Sequence, residues 1–285
     1  MNICTYQTAE FNYECGLKAL PGKSMCFWHT PKGDMKTVDL YRQYLRHEEK
    51  LTDALHGFPE KKLIGFQLPR VTLKGTDFFR FDFSLVNLSH SDFSHAFLRE
   101  TRFMKIVGQE GCFDKANFNR SLLNDSNWER ASFREAYLNE CEIKRCEVSG
   151  ADFTFAQIRN SCLDGSRGKQ LKMDEANFTE TSFKSVDLED ISCRMSQLLN
   201  AKFLEARIKN AVFDESTLIG AQFLKVVFEN VRFHEVNMRR CEIRNSVFRA
   251  CEFRNVDFSE SQYEDNVFES CHFIECKKPA LAVAG

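Results

Sequence analysis

The chain has 285 residues with 39 Lys/Arg against 41 Asp/Glu, a formal net charge of −2. A balance this close excludes a global basic field of the kind that gathers nucleic acid. The first residues, Met1-Asn2-Ile3-Cys4-Thr5, show neither a basic n-region nor an apolar h-region, and no apolar run reaches membrane-spanning length, so a cytoplasmic protein is expected.

Residues 1–33 hold Cys4, Cys15, Cys26 and His29. Cys26-Phe27-Trp28-His29 has the two-residue gap that lets both side chains reach one ion, and Cys4 and Cys15 complete a Cys₃His set suited to tetrahedral zinc. The segment has few aliphatic residues to build a core, and Pro21-Gly22 marks a turn between the ligands, so a structural zinc is expected to fold it. The spacing alone leaves plainly packed cysteines as the alternative, because Cys4 and Cys15 form no second C-x₂-C pair. Four protein ligands would leave no open position for catalysis. In residues 34–60, Val38, Tyr41, Tyr44, Leu45, Leu51 and Leu55 recur at helical spacing. Asp34 or Thr37 can cap the start, and Gly57 with Pro59 stops the helix. This helix is expected to cover the open end of the repeat that begins at residue 61, with a partner-binding helix as the alternative.

From residue 61 to 276 a large apolar residue returns every fifth position, from Leu63, Leu68, Leu73 and Phe78 to Phe258, Tyr263, Phe268 and Phe273. Twenty of the 28 Phe fall on this register. Two residues earlier runs a column of small side chains, among them Ala96, Ala116, Ala131, Ala151, Ala176 and Ala201. In an α-helix a step of five advances about 500°, which scatters these positions over every face. In a straight strand five is odd, so the large residues would alternate sides. The pattern is consistent only with a chain that bends once per unit and resets its inward direction, which is a solenoid.

Units such as Ala116-Asn117-Phe118-Asn119-Arg120, Ala151-Asp152-Phe153-Thr154-Phe155 and Ala176-Asn177-Phe178-Thr179-Glu180 resemble pentapeptide-repeat proteins. The resemblance covers about three quarters of the chain. It implies an all-β solenoid, a right-handed four-sided parallel β-helix with four units per coil and about eleven coils. It also implies a non-enzymatic protein acting by binding another protein. The best-known members, of Qnr and MfpA type, protect type II DNA topoisomerases from quinolones by imitating DNA, which is the alternative reading here. Against it, residues 61–275 contain 30 Lys/Arg and 33 Asp/Glu, weak for the imitation of a polyanion. Outward residues twenty apart should stack, and Arg80, Glu100, Arg120 and Glu140, with Arg240 and Glu260, predict cross-strand charge pairs. The Cys/His segment is not a feature of Qnr-type proteins.

Three chemical signals inside the repeat dissolve on the register. His90-Ser91-Asp92 with His95 places Ser91 inward and both His at outward corners, where nucleophile and base cannot converge. Gly165-Ser166-Arg167-Gly168-Lys169 lacks the phosphate-loop spacing. Cys141, Cys146, Cys241, Cys251, Cys271 and Cys276 lie in the small inward column, where a thiol packs as a compact apolar group; free thiols are expected, Cys251 and Cys271 in adjacent coils included. The register itself fails at Gly108 and Gly168, sixty residues and hence three coils apart on one side. Projecting loops there, at 104–112 and 164–172, are the expected partner contacts, with Gly108, Gln109, Glu110, Arg167, Gly168, Lys169 and Lys172 as candidates and two distorted coil sides as the alternative. Residues 277–285 form an apolar tail in which Leu281 and Val283 are expected to cover the last coil or join two rods as a homodimer. No direct nucleic-acid or membrane partner is expected.

Overall fold

The corners come first. The structure, a computed structural model, describes residues 3–11, 13–15, 17, 19–20, 25–26, 28–29, 48–57 and 59–277. Every fifth residue from Gly65 to Glu275 has a φ between +50° and +72°. This left-handed conformation turns the chain once per unit, and no Val, Ile, Thr or Pro occupies any of these positions. Side chains branched at Cβ clash with their own backbone at positive φ, and proline cannot reach it. Their absence is thus a sequence record of the corners.

Between corners, each unit offers one short extended segment to the coil above and the coil below. Bridges are parallel with a register of twenty residues throughout, from Lys62↔Asp82 to Asp257↔Lys277. At twenty residues per coil, residues 62–277 make a little under eleven coils. From Arg167 onward many sides lengthen into three-residue strands, and these line up as three sheets of four, six and three strands. The amide of each large inward residue reaches the next coil (Leu63 N–H to Asp82 O, 2.8 Å), and that of the residue before it reaches the previous one (Asp82 N–H to Lys61 O, 2.9 Å).

The large side chains meet on the axis, where Phe rings stack face to face along the rod. Phe83–Phe103, Phe183–Phe203 and Phe233–Phe253 have centroids 4.8–4.9 Å apart and planes within 5°. That separation is the strand spacing itself. The small column serves the backbone as well as the packing. Ser91 Oγ donates to Leu68 O (2.8 Å) and accepts from Val71 N–H (3.2 Å), and Ser121, Ser126, Ser161 and Ser246 repeat the bridge. Cysteines in the same column donate to the equivalent carbonyl, as Cys141 Sγ does to Phe118 O (3.0 Å). All twelve cysteines are free thiols.

The two register failures are not projecting loops, which corrects the sequence expectation for 104–112 and 164–172. Val107 bridges both Asn87 and Asn127, and Arg167–Lys169 is a strand paired with Asp187–Glu189. Gly108 is buried, and a Cβ there would lie 2.5 Å from the Trp128 ring and 2.9 Å from Ile106 Cδ1. Trp128 stands twenty residues on, directly above, and its indole fills the volume that Gly108 vacates. At Gly168 a Cβ would meet Leu171 Cδ1 and the backbone of Val148 and Ser149 at 2.9 Å. The missing anchors are thus local volume exchanges inside an intact core.

Ahead of the rod, α1 spans Glu48–His56 and ends at Gly57, whose N–H reaches Asp53 O (3.0 Å). The expected helix start at Asp34 or Thr37, with Val38 to Leu45, lies outside the described residues, as does Pro21-Gly22. The tail residues Leu281 and Val283 also lie outside them. Leu55 is fully buried in the first-coil core. The His56 ring packs on Phe78 and Phe81, and its Nε2–H donates to Asp77 O (2.6 Å).

Candidate metal centre and rod surfaces

A short antiparallel hairpin, Gln7–Thr8 against Tyr13–Glu14, sets two of the four expected ligands side by side. Beyond its strands, Cys15 N–H bonds Tyr6 O (2.9 Å) and Cys4 N–H bonds Leu17 O (2.8 Å). The other two ligands sit on a tight turn closed by His29 N–H to Cys26 O (3.2 Å). All four side chains are buried, and their ligand atoms lie within 4.8 Å of one another. Cys15 Sγ–Cys26 Sγ is 3.7 Å, and His29 Nδ1 is 3.2 Å from Cys26 Sγ and 3.7 Å from Cys4 Sγ. A tetrahedron built on metal–sulfur bonds of about 2.3 Å has edges of about 3.8 Å. The donor set therefore fits such an ion with little movement.

The imidazole is already oriented for this role. Its Nε2 lies 2.8 Å from Ile64 O. A carbonyl only accepts, so the proton is on Nε2 and the lone pair of Nδ1 faces the thiols. Burial works against the charged form at all three thiols. Backbone N–H groups of Cys26 and Tyr6 nevertheless hold Cys4 below its ordinary value, whereas Cys26 stays above it despite the His29 N–H and Cys15 is pushed up to about 12.

The same residues dock the segment onto the rod. Tyr6 stacks on His29 (4.0 Å between centroids, 9° between planes), and a Cβ on Gly65 would lie 2.0 Å from the Tyr6 hydroxyl. Trp28 stacks on Phe66 at 5.5 Å, and His29 meets the Phe66 edge at 5.1 Å. Gln67 N–H bonds Trp28 O (2.7 Å), where in the next coil Asn87 N–H bonds Phe66 O (2.9 Å). Trp28 thus supplies the carbonyl that a preceding coil would have offered. Sequence reading missed Phe66 and Phe81. Both are aromatic residues in the small column, which later coils fill with nothing larger than Leu or Ile, and that misfit is the signal that marks where α1 and the thiol-rich segment sit.

On the rod, the expected partner residues share little beyond position. Arg167 pairs with Glu147 (3.2 Å), Lys169 with Glu189 (2.5 Å), and Gln109 with Glu129 (3.0 Å). Glu110 faces His90 (3.2 Å) and Arg130 (3.7 Å), and Lys172 is exposed on the adjoining side. The expected charge column is present: Arg80–Glu100 (2.7 Å), Arg120–Glu140 (3.0 Å) and Arg240–Glu260 (2.7 Å). His90, Ser91 and Asp92 are separately engaged. Ser91 is inside, and Asp92 caps Ser94 N–H (3.0 Å) and pairs with Lys74 (3.2 Å). Two shallow clefts open on one side of the rod. One, of about 450 Å³, is lined by Arg99, Asn117, Asn119, Asn139, Glu140 and Arg159; the other, of about 720 Å³, is lined by His95, Tyr137 and Phe155 together with the Lys115–Glu135 ion pair at the corner (3.4 Å).

A four-sided parallel β-solenoid with a thiol-rich segment at its first coil is the class of protein that these features define. Profiles of the family described as pentapeptide repeats match residues 67–104, 112–150, 133–167, 206–245 and 228–272, more than half of the chain. The chain belongs to the pentapeptide-repeat family. Among solved structures it is similar to HetL from the cyanobacterium Nostoc sp. strain PCC 7120, involved in heterocyst differentiation regulation. There the identity is 15%, covering 77% of this chain and 93% of that one, with a TM-score of 0.42. It is also similar to full-length QnrB1, a plasmid-mediated fluoroquinolone resistance protein, at 17% identity, 69% and 93% coverage and a TM-score of 0.41. No curated protein matches the chain by sequence. Among the described residues no helix is long and apolar enough to cross a membrane.

Proposed function

We propose that this is a non-enzymatic, cytoplasmic protein-binding rod whose first coil is closed by a zinc-stabilised module. The observation that carries the zinc is the convergence of three buried thiols and an imidazole with its lone pair turned toward them. Thiolates with one imidazole suit zinc, and bound zinc would supply a cross-link, not catalysis, since all four positions are protein ligands. Cys4, Cys15, Cys26 and His29 hold it, while Trp28, Tyr6 and α1 cover the exposed core end. Elemental analysis of purified protein is expected to find about one zinc per chain. Cys26→Ser or His29→Ala should lower the melting temperature; protein without metal, together with a harmless Cys26→Ser, overturns the module.

What supports binding to a protein is an extended frame of repeated coils with opposed charges spread along its sides. The side that carries Gln109, Glu110, Arg167 and Lys169, with Lys172 on the next, is one area offered to a partner. The C-terminal end is a second. Tyr263, Phe268 and Phe273 of the last coil remain partly exposed, and Leu281 and Val283 would cover them or join a second rod. Imitation of DNA for a topoisomerase is the other reading in this family, but it needs unpaired carboxylates in a continuous field, and here many are matched by Arg or Lys one coil away. Affinity capture from native cells is expected to return a protein whose binding falls in an Arg167→Glu/Lys169→Glu variant. A gyrase supercoiling assay with a quinolone is expected to show no protection. Protection would reinstate the topoisomerase, and an empty capture would remove the protein-binding reading.

A further inference from the structure

The side bearing both clefts differs in composition from the other three. Its two outward columns run from Phe97 and Arg99 through Asn117, Asn119, Tyr137, Asn139, Gln157 and Arg159 to Asn237 and Arg239, twenty residues per step, without one carboxylate or lysine. Over the same coils the outward columns of the other three sides carry both carboxylates and Lys or Arg.

The smaller cleft offers almost nothing but donors. Asn139 N–H bonds Asn119 Oδ1 (2.9 Å), Arg159 N–H bonds Asn139 Oδ1 (3.0 Å), and Asn119 N–H bonds Asn117 Oδ1 (3.1 Å). A backbone N–H meets only the oxygen of an amide, so each of the three Nδ2 groups is left as a donor toward solvent. Arg99 and Arg159 flank them, exposed, and neither has a carboxylate within ion-pair distance among the described residues. The one carboxylate of this cleft, Glu140, is held by Arg120. Beside it stand exposed rings: Phe97 (53% exposed) and Tyr137 (48%) in one column two coils apart, about 10 Å, and Phe155 (41%) at the corner.

We propose that this side docks an extended, acidic segment of a partner protein, whose carboxylates enter the Arg99–Asn119–Asn139–Arg159 cleft and whose apolar side chains lie on Phe97, Tyr137 and Phe155. The inference rests on the protein-binding reading and adds to it a second side, distinct from the one that carries Arg167 and Lys169. Donors without acceptors select an anionic, acceptor-rich group, and a guanidinium with flanking amides receives a carboxylate in bidentate fashion. Exposed aromatics with Arg, and depletion of Lys, Asp and Glu, are the composition of a protein interface core. A polyanion fits less well. Only two guanidiniums here lack a carboxylate partner among the described residues, too few to match a charge at every nucleotide or uronate.

The test uses the full chain and fluorescein-labelled synthetic peptides in which Glu alternates with Leu and Phe, read by anisotropy at low ionic strength. The peptide should bind, and its affinity should fall about tenfold or more in Arg99→Glu/Arg159→Glu. Tyr137→Ala should weaken it too, while Lys202→Glu/Arg207→Glu, on two other sides, leaves it unchanged. All these positions are exposed, so an unaltered melting temperature verifies folding. Absence of peptide binding overturns the proposal, as does binding indifferent to Arg99 and Arg159. So does Arg159-dependent binding of a uronate oligosaccharide or a single-stranded oligodeoxynucleotide in place of the peptide. A cellular partner retained by Arg99→Glu/Arg159→Glu would mean that protein binding stands and this side is not its seat.

Discussion

At the scale of single residues, the informative positions are those where a column takes the wrong size. Gly108 and Trp128 occupy the same large column in successive coils, and the indole lies where the glycine's neighbour should be. Gly108→Leu should therefore destabilise the rod by about 1–3 kcal/mol through overpacking. Combined with Trp128→Leu it should recover most of that loss, because the two sites share one volume. Urea midpoints of the two single variants and the double variant provide the check; additive losses would show that Trp128 does not fill the site. Buried thiols give a second expectation. Burial pushes Cys141 and Cys146 up to about 12 from an ordinary value near 9. The folded state thus favours the protonated thiol, so the stabilisation is complete below pH 9 and is lost as pH rises toward 12. At pH 10.5 the cost is about 2 kcal/mol per thiol. Cys141→Ala/Cys146→Ala should accordingly flatten the decline in urea midpoint between pH 8.5 and 10.5, and an unchanged slope would contradict it.

The five-residue unit itself was legible in the sequence, because it is built from side-chain size alone: Ala or Ser inward, Phe or Leu inward two residues later, and no β-branched residue at the corner. The Cys₃His set was legible for a different reason, the short gap between Cys26 and His29. What spacing did not reveal was why the register breaks. Loops were expected at Gly108 and Gly168 since a missing anchor within one unit reads as a gap. The compensation comes from Trp128, which is twenty residues away in sequence and adjacent only after the chain has coiled. The donor-rich cleft was hidden for the same reason. Asn119, Asn139 and Arg159 are ordinary polar residues until stacking spends each amide oxygen on the next coil's N–H. Phe66 and Phe81 were visible as exceptions to the small column, yet the sequence does not say what they touch.

For the whole molecule, each coil contacts chiefly its two neighbours, so stability is close to a sum of coil and interface contributions, and the ends decide whether the sum is realised. The first coil differs from all later ones in having its ladder completed from outside, by Trp28 O on Gln67 N–H, with the Tyr6 ring admitted by Gly65. That contact has a consequence for the order of assembly. During synthesis the hairpin, Cys26 and His29 emerge before any repeat, and a chain folds from the end that is made first. Once closed, the small module presents a carbonyl and two flat rings as a template, and every coil can be laid down on the one before it. The N-terminal end is then a seed and the C-terminal end a growing front, so a rod deprived of its seed would have two open fronts, each able to accept a strand from another chain.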